Sequence, residues 1–68
     1  MRYTFSMEKN NVYNLMHQLT QESKSLWRIK HNYQQDAVGE EEKVFWTALE
    51  KDKESHIEAL KRLIAAAL

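Results

Sequence analysis

The chain has 68 residues, enough for one small domain, and its ten basic side chains balance ten acidic ones. Because Lys and Arg are interspersed with Asp and Glu, the chain lacks a basic block that could follow a nucleic-acid backbone, and we expect no nucleic-acid partner. No run approaches the ~18 apolar residues of a membrane span and the N-terminal residues lack a signal-peptide pattern, so we expect a cytoplasmic protein without membrane contact.

The first predicted element is a long helix from about residue 6 to about residue 35, with Ser6 as its N-cap. Nothing in this stretch must interrupt a helix, because the chain has no proline and its one glycine is Gly39. Its apolar residues follow a heptad-like spacing that Tyr13, Met16 and Trp27 widen on one flank: Phe5, Val12, Leu15, Leu19, Leu26, Ile29 and Tyr33. One neighbouring helix cannot cover a stripe this broad, which favours a bundle of at least four helices.

The second predicted element is a helix from about residue 40 to about residue 67, after a short turn at residues 36–39. A connection of this length forces the two helices antiparallel, and the acidic run Glu40–Glu42 complements the positive end of the second helix dipole. We expect Phe45, Ala48, Leu49, Ala59, Leu60 and Leu63 on the inner face of this helix, with Trp46, Ile57 and Ile64 as an offset strip.

These elements predict an all-α fold, in which residues 1–68 form a single antiparallel helical hairpin. A domain of this size is short of core, and without cysteine it has no disulfide to stabilise it. Because a lone hairpin would leave apolar surface in water, we expect a homo-oligomer. Two hairpins related by a two-fold axis would form a four-helix bundle.

Three ionisable residues interrupt the apolar rows at one height of the predicted hairpin. Asp52 and His56 lie near the centre of the predicted inner stripe of the second helix, and Glu22 interrupts the stripe of the first. Because the turn is centred near residue 37 or 38, residue n lies close to residue 75 − n. This relation brings Glu22 level with Lys53 and therefore beside Asp52.

A carboxylate in an apolar seam is costly unless it is paired, hydrated or bound to a cation. Glu22, Asp52 and His56 together offer oxygen and imidazole ligands, which suit iron, manganese or zinc. A two-fold axis would double this set into a dinuclear site at the centre of the bundle. The alternative is a hydrogen-bonded polar layer that only sets helix register.

The segment at residues 52–60, DKESHIEAL, resembles the second-helix motif of ferritin-like proteins, including bacterioferritins and rubrerythrins. A two-helix chain that completes its site by dimerising is similar to the encapsulated ferritins. The resemblance implies that His56 corresponds to the family's ligand histidine and Glu22 to the glutamate of the preceding helix, with ferroxidase-type iron chemistry. Lys53 stands where the family has a ligand glutamate, and Asp52 would have to replace it.

Two functions follow as hypotheses. The first is a self-associating ferritin-like protein with a carboxylate and histidine metal site at the bundle centre. The second is a structural oligomerisation or adaptor module whose buried Glu22, Asp52 and His56 layer sets the register of its helices. Because the chain shows no nucleophile beside a base and no phosphate-binding loop, hydrolytic or nucleotide-dependent catalysis is not supported. We expect no enzyme, unless the activity is of the ferroxidase type.

Overall fold

The computed structural model describes the backbone of residues 3–68 and the side chains of residues 10–68. Every regular element in this range is helical, which confirms the all-α class: α1 (Tyr3–Arg28), a π-helical segment (Ile29–Tyr33), α2 (Gln34–Asp36) and α3 (Gly39–Ala67). We call residues 3–36 the first arm and α3 the second arm. Ala37 and Val38 connect them in an extended conformation.

The arms begin and end at slightly different residues than predicted. The first arm is already helical at Tyr3, so Ser6 lies inside it and the prediction of Ser6 as an N-cap is wrong; its side chain lies outside the described residues. Asp36 still belongs to the first arm and Gly39 already belongs to α3, which shortens the connection. Gly39 has φ of +83°, a left-handed conformation that glycine adopts without strain. The carboxylate of Glu42 accepts the Val38 backbone N–H at 2.6 Å and caps the start of α3.

The π-helical segment lies where the first arm approaches the turn. The backbone N–H of Gln34 donates to the carbonyl of Ile29, five residues earlier, instead of four. Such a wider turn changes which residues face the neighbouring helix beyond it. Beyond the segment, Gln34 Nε2 donates to Glu50 Oε1 of α3 at 2.5 Å. Ile29, at the start of the segment, is almost completely buried.

The two arms lie side by side and run in opposite directions. The contacts between the arms follow this order toward the turn: Glu22 pairs with Lys53, Lys30 pairs with Glu50, and the Tyr33 ring lies beside Trp46, tilted by 42°. The face of the first arm that meets α3 includes the buried or half-buried residues Val12, Leu15, Leu19, Glu22, Leu26 and Ile29, as the heptad spacing predicted. The Cα atoms span 54 × 20 × 13 Å, so the pair of arms is a thin rod.

The face of α3 that packs on the first arm is only partly the predicted one: Leu49, Ala59 and Leu60 are half-buried, but the other three predicted residues are not. Phe45 and Leu63 are 56% and 54% exposed, and Ala48 is also exposed. The offset strip of Trp46, Ile57 and Ile64 lies against the first arm instead, together with Leu49, Glu50, Lys53 and Leu60. The predicted face was partly wrong because α3 carries two adjacent apolar strips, and one neighbouring helix can cover only one of them.

Candidate functional site

Glu22 is the one charged residue that is buried among those with described side chains, and it is 8% exposed. It follows Leu15 and Leu19 on the inner face of α1, so the helical periodicity that buries those leucines also turns its carboxylate toward α3. An unpaired carboxylate in this position would be strongly destabilising. The polar groups that surround this carboxylate therefore form the candidate functional site.

Three side chains surround the carboxylate of Glu22, and we call the four residues together the Glu22 cluster. Lys53 Nζ lies 3.2 Å from Oε1 and His56 Nδ1 lies at the same distance from that oxygen. Gln18, one turn earlier on α1, donates from Nε2 to Oε2 at 2.9 Å. In the part of the chain with described side chains, no buried side-chain nitrogen or oxygen lacks a hydrogen-bond partner. The cluster is thus satisfied within a single chain.

The hydrogen bonds of the cluster keep Glu22 ionised. Burial raises the pKa of its carboxyl group, but the hydrogen bonds from His56, Lys53 and Gln18 and the positive charge of Lys53 outweigh burial, and the net pKa lies below the ordinary value of 4.5. Near neutral pH the carboxylate therefore faces an ammonium group, and the two charges compensate each other.

His56 joins the cluster with only one of its ring nitrogens. A carboxylate without a proton can only accept, so Nδ1 carries the hydrogen that it donates to Glu22. The side chain is 58% exposed, so more than half of it is open to solvent. The second ring nitrogen, Nε2, is left for another partner.

The structure brings together two of the three predicted site residues. The predicted height is correct for Glu22, which meets Lys53 as the 75 − n relation requires. His56 also reaches Glu22, one turn further along α3. Asp52, however, is exposed on α3, and Lys53 occupies the inward position expected for it. The reason is the face of α3, which is rotated by about one residue from the predicted face.

In the described part of the chain, Glu22, Asp52 and His56 do not converge on one point. Lys53 places a positive charge against Glu22, where a cation would have to bind, and Asp52 points elsewhere on the helix surface. Among the residues that the structure describes, no three His, Asp or Glu side chains are grouped closely enough to hold a metal ion. Binding of iron, manganese or zinc by Glu22, Asp52 and His56 stays a prediction.

Sequence reasoning missed an aromatic cluster at the turn. Trp46 lies 4.9 Å from Tyr33 and 5.0 Å from Phe45, measured between ring centroids. These rings line an open cleft of about 600 Å³ together with Asp36, Ala37, Val38, Glu41 and Glu42. The 75 − n relation places Tyr33 level with Glu42, one turn away from Trp46, so it did not indicate this pair. Trp27 does not join it and stacks on His31 instead, with ring centroids 4.3 Å apart.

Comparisons of the chain with protein-family models, with curated proteins and with solved structures find no match. The likeness of residues 52–60 to ferritin-like proteins therefore stays a prediction from one motif. Within residues 3–68, no helix has both the length and the apolar character needed to cross a membrane.

Proposed function

We propose that this chain is a self-associating structural module: its two arms form a helical hairpin, and hairpins combine into a larger helical assembly. The observation that carries this proposal is the amount of apolar surface left uncovered. Of the apolar residues with described side chains, only Val12 and Ile29 are buried. Large apolar side chains exposed by more than a third are numerous: Tyr13, Met16, Trp27, Tyr33, Val38, Val44, Phe45, Leu63 and Leu68.

This exposure is unfavourable for an isolated hairpin. Fully burying one large apolar side chain contributes about 1.5–3 kcal/mol, whereas a typical small domain is stable by only about 5–15 kcal/mol. Covering a few of these side chains with a second copy would therefore change the stability of the fold substantially. Two copies, arranged as a four-helix bundle, are the simplest assembly that provides such a cover.

The Glu22 cluster supports a structural role in this assembly, because its ion pair forms in one register only. If the arms slipped by one helical turn, Glu22 would face Leu49 or Ile57 instead of Lys53. The carboxylate would then be buried without a cation, which costs more free energy than the slip could recover. The cluster thus selects one alignment of the arms, as buried polar residues do in some helical bundles.

Mass in solution tests the proposal. We expect the chain of 8.1 kDa to behave as a dimer or larger species in analytical ultracentrifugation, and to dissociate on dilution. A mass equal to one chain from micromolar to millimolar concentration would show that the hairpin does not self-associate.

Elemental analysis of the same purified assembly separates the structural module from the ferritin-like metal protein. The structural module assembles without metal, so we expect no stoichiometric iron, manganese or zinc after purification or after incubation with each metal and removal of the excess. Stoichiometric metal that is lost in the variants Glu22→Ala and His56→Ala would instead favour the metal protein.

A further inference from the structure

One exposed face of α3 combines apolar and ionisable residues in a regular order. Phe45, Leu49, Asp52, His56, Ala59 and Leu63 fall within a sector of about 80° when each residue advances by about 100°. Phe45, Asp52, His56 and Leu63 are exposed, and Leu49 and Ala59 are half-buried. We call these six residues the outer α3 stripe. It lies beside the strip that packs on the first arm and shares Leu49 with that strip.

The outer α3 stripe is complementary to a second copy of itself that runs in the opposite direction. Reading outward from Glu54 in both directions, Asp52 corresponds to His56, Leu49 to Ala59, and Phe45 to Leu63. Each apolar residue therefore matches another apolar residue, and the acidic residue matches the basic one. Such a self-complementary surface is what a two-fold interface between identical chains requires.

We propose that the outer α3 stripe packs against the same stripe of a second copy, antiparallel and centred near Glu54, with His56 bonded to Asp52 of the partner subunit. The proposal rests on the self-association proposed above and names the face that mediates it. It gives a partner to each ionisable group of the stripe. Asp52 is exposed in the single chain, and His56 has one ring nitrogen beyond its contact with Glu22.

The chemistry of the contact follows from the hydrogen bond that His56 already makes. Nδ1 donates to Glu22 of the same chain, so Nε2 must also carry a hydrogen in order to donate to Asp52 of the partner subunit. The imidazole is then an imidazolium between two carboxylates, with Lys53 as the other cation that faces Glu22. The two-fold axis repeats this arrangement, so each dimer contains two such contacts.

The antiparallel direction is favoured by charge. In a parallel pairing in register, Asp52 would meet Asp52 of the partner subunit and His56 would meet His56 of the partner subunit, which places like charges opposite each other. The antiparallel pairing places opposite charges together at both positions. It also brings Phe45, near the turn, beside Leu63 of the partner subunit, near the open end of the rod.

The first test removes the charge of Asp52 without disturbing the single chain. Asp52 is exposed and makes no hydrogen bond or ion pair with the Glu22 cluster among the described residues, so Asp52→Asn should leave the helical content unchanged. We expect the dissociation constant of the dimer to rise by about tenfold or more, because two charged hydrogen bonds are weakened per dimer. Glu58→Gln is the matched control, since Glu58 is an exposed acid on α3 outside the stripe. Equal dissociation constants for the two variants would overturn the proposal.

The second test locates the apolar part of the interface. Leu63→Ser should weaken the dimer strongly, whereas Met16→Ser, at an exposed apolar position of the first arm, should change it little. If Met16→Ser dissociates the dimer and Leu63→Ser does not, association uses the first arm and the proposed face is wrong.

The third test determines direction, and it is clean because the chain has no cysteine. Single variants Phe45→Cys and Leu63→Cys, mixed and oxidised, should form the mixed disulfide in preference to either symmetric one. Predominant symmetric disulfides would show a parallel dimer.

Assembly that is unchanged by a strong chelator supports a direct contact between Asp52 and His56, whereas dissociation by the chelator would show a bridging metal in its place.

These experiments separate the failure of this proposal from the failure of self-association. A monomer at all concentrations removes both. A dimer that resists Asp52→Asn and Leu63→Ser removes only the outer α3 stripe as its interface.

Discussion

The ammonium nitrogen of Lys53 lies 3.2 Å from Oε1 of Glu22 and joins the two arms at the level where the apolar contacts are interrupted. Lys53 is half-buried and Glu22 is buried, so this is an interior ion pair and not a surface one. When one member of an interior ion pair is removed, the charge of the other member stays buried without a partner, whereas in a surface pair water solvates the remaining charge.

Replacing the lysine should therefore destabilise the protein. We expect Lys53→Ala to lower the free energy of unfolding by about 1–3 kcal/mol, since the Glu22 carboxylate keeps its burial and loses its cation. Denaturant unfolding followed by far-UV circular dichroism measures this difference. Lys51→Ala, at an exposed position of the same helix, is the control and should change stability by less than about 0.5 kcal/mol. Similar losses in both variants would contradict an interior role for Lys53.

Replacing both members of the pair by apolar residues should have a different result. We expect Glu22→Leu with Lys53→Met to be about as stable as the natural chain or more stable, because no charge is left buried. The register of the arms should become less well defined, since apolar contacts tolerate a slip of one turn that the ion pair does not. Doubled or broadened amide NMR signals along α3 would show this loss. A single sharp set of signals would indicate that the pair does not select the register.

The pH dependence of stability should carry a contribution from Glu22. Its pKa in the folded protein is lowered below 4.5, so the folded state holds its proton less tightly than the unfolded state. The resulting stabilisation is present above pH 4.5 and is lost as the pH falls through the folded-state pKa. Glu22→Gln should flatten this part of the curve of unfolding free energy against pH, whereas Glu58→Gln should not. Parallel curves for the natural chain and Glu22→Gln would refute the assignment.

The stability of the turn should depend on the backbone conformation of Gly39 and not on steric room for a side chain at this position. A Cβ at this position would meet no heavy atom within 4 Å, but φ of +83° is unfavourable for L-residues. We expect Gly39→Ala to cost about 1–2 kcal/mol in unfolding free energy, and Gly39→Asn to cost less because Asn tolerates the left-handed region better. Thermal melting of the two variants checks the order. An alanine variant as stable as the natural chain would show that the turn adopts another conformation.

The spacing of apolar residues and the position of the single helix-breaking residue determined the number of helices and the inner face of the first arm. Glycine at position 39 and the absence of proline limited the chain to two long helices, because no other residue needs to end one. The heptad spacing of the first arm identified its inner face, including Glu22 as an interior carboxylate. The length of the connection predicted Glu22 level with Lys53, because two antiparallel α-helices bring residues at equal distances from the turn to the same height.

Only the tertiary structure decided which of two adjacent apolar strips of α3 faces the first arm. The sequence contains both strips and no local signal that ranks them, because an isolated helix does not determine which of its apolar faces a neighbouring helix will cover. Packing selected the strip with Trp46, Ile57 and Ile64, and with it Lys53 as the cation of Glu22. The same choice left Phe45, Asp52 and Leu63 exposed on the outer stripe. The three-residue site expected from spacing thus depended on a rotation of about one residue, which the contacts between helices determine and the sequence pattern does not.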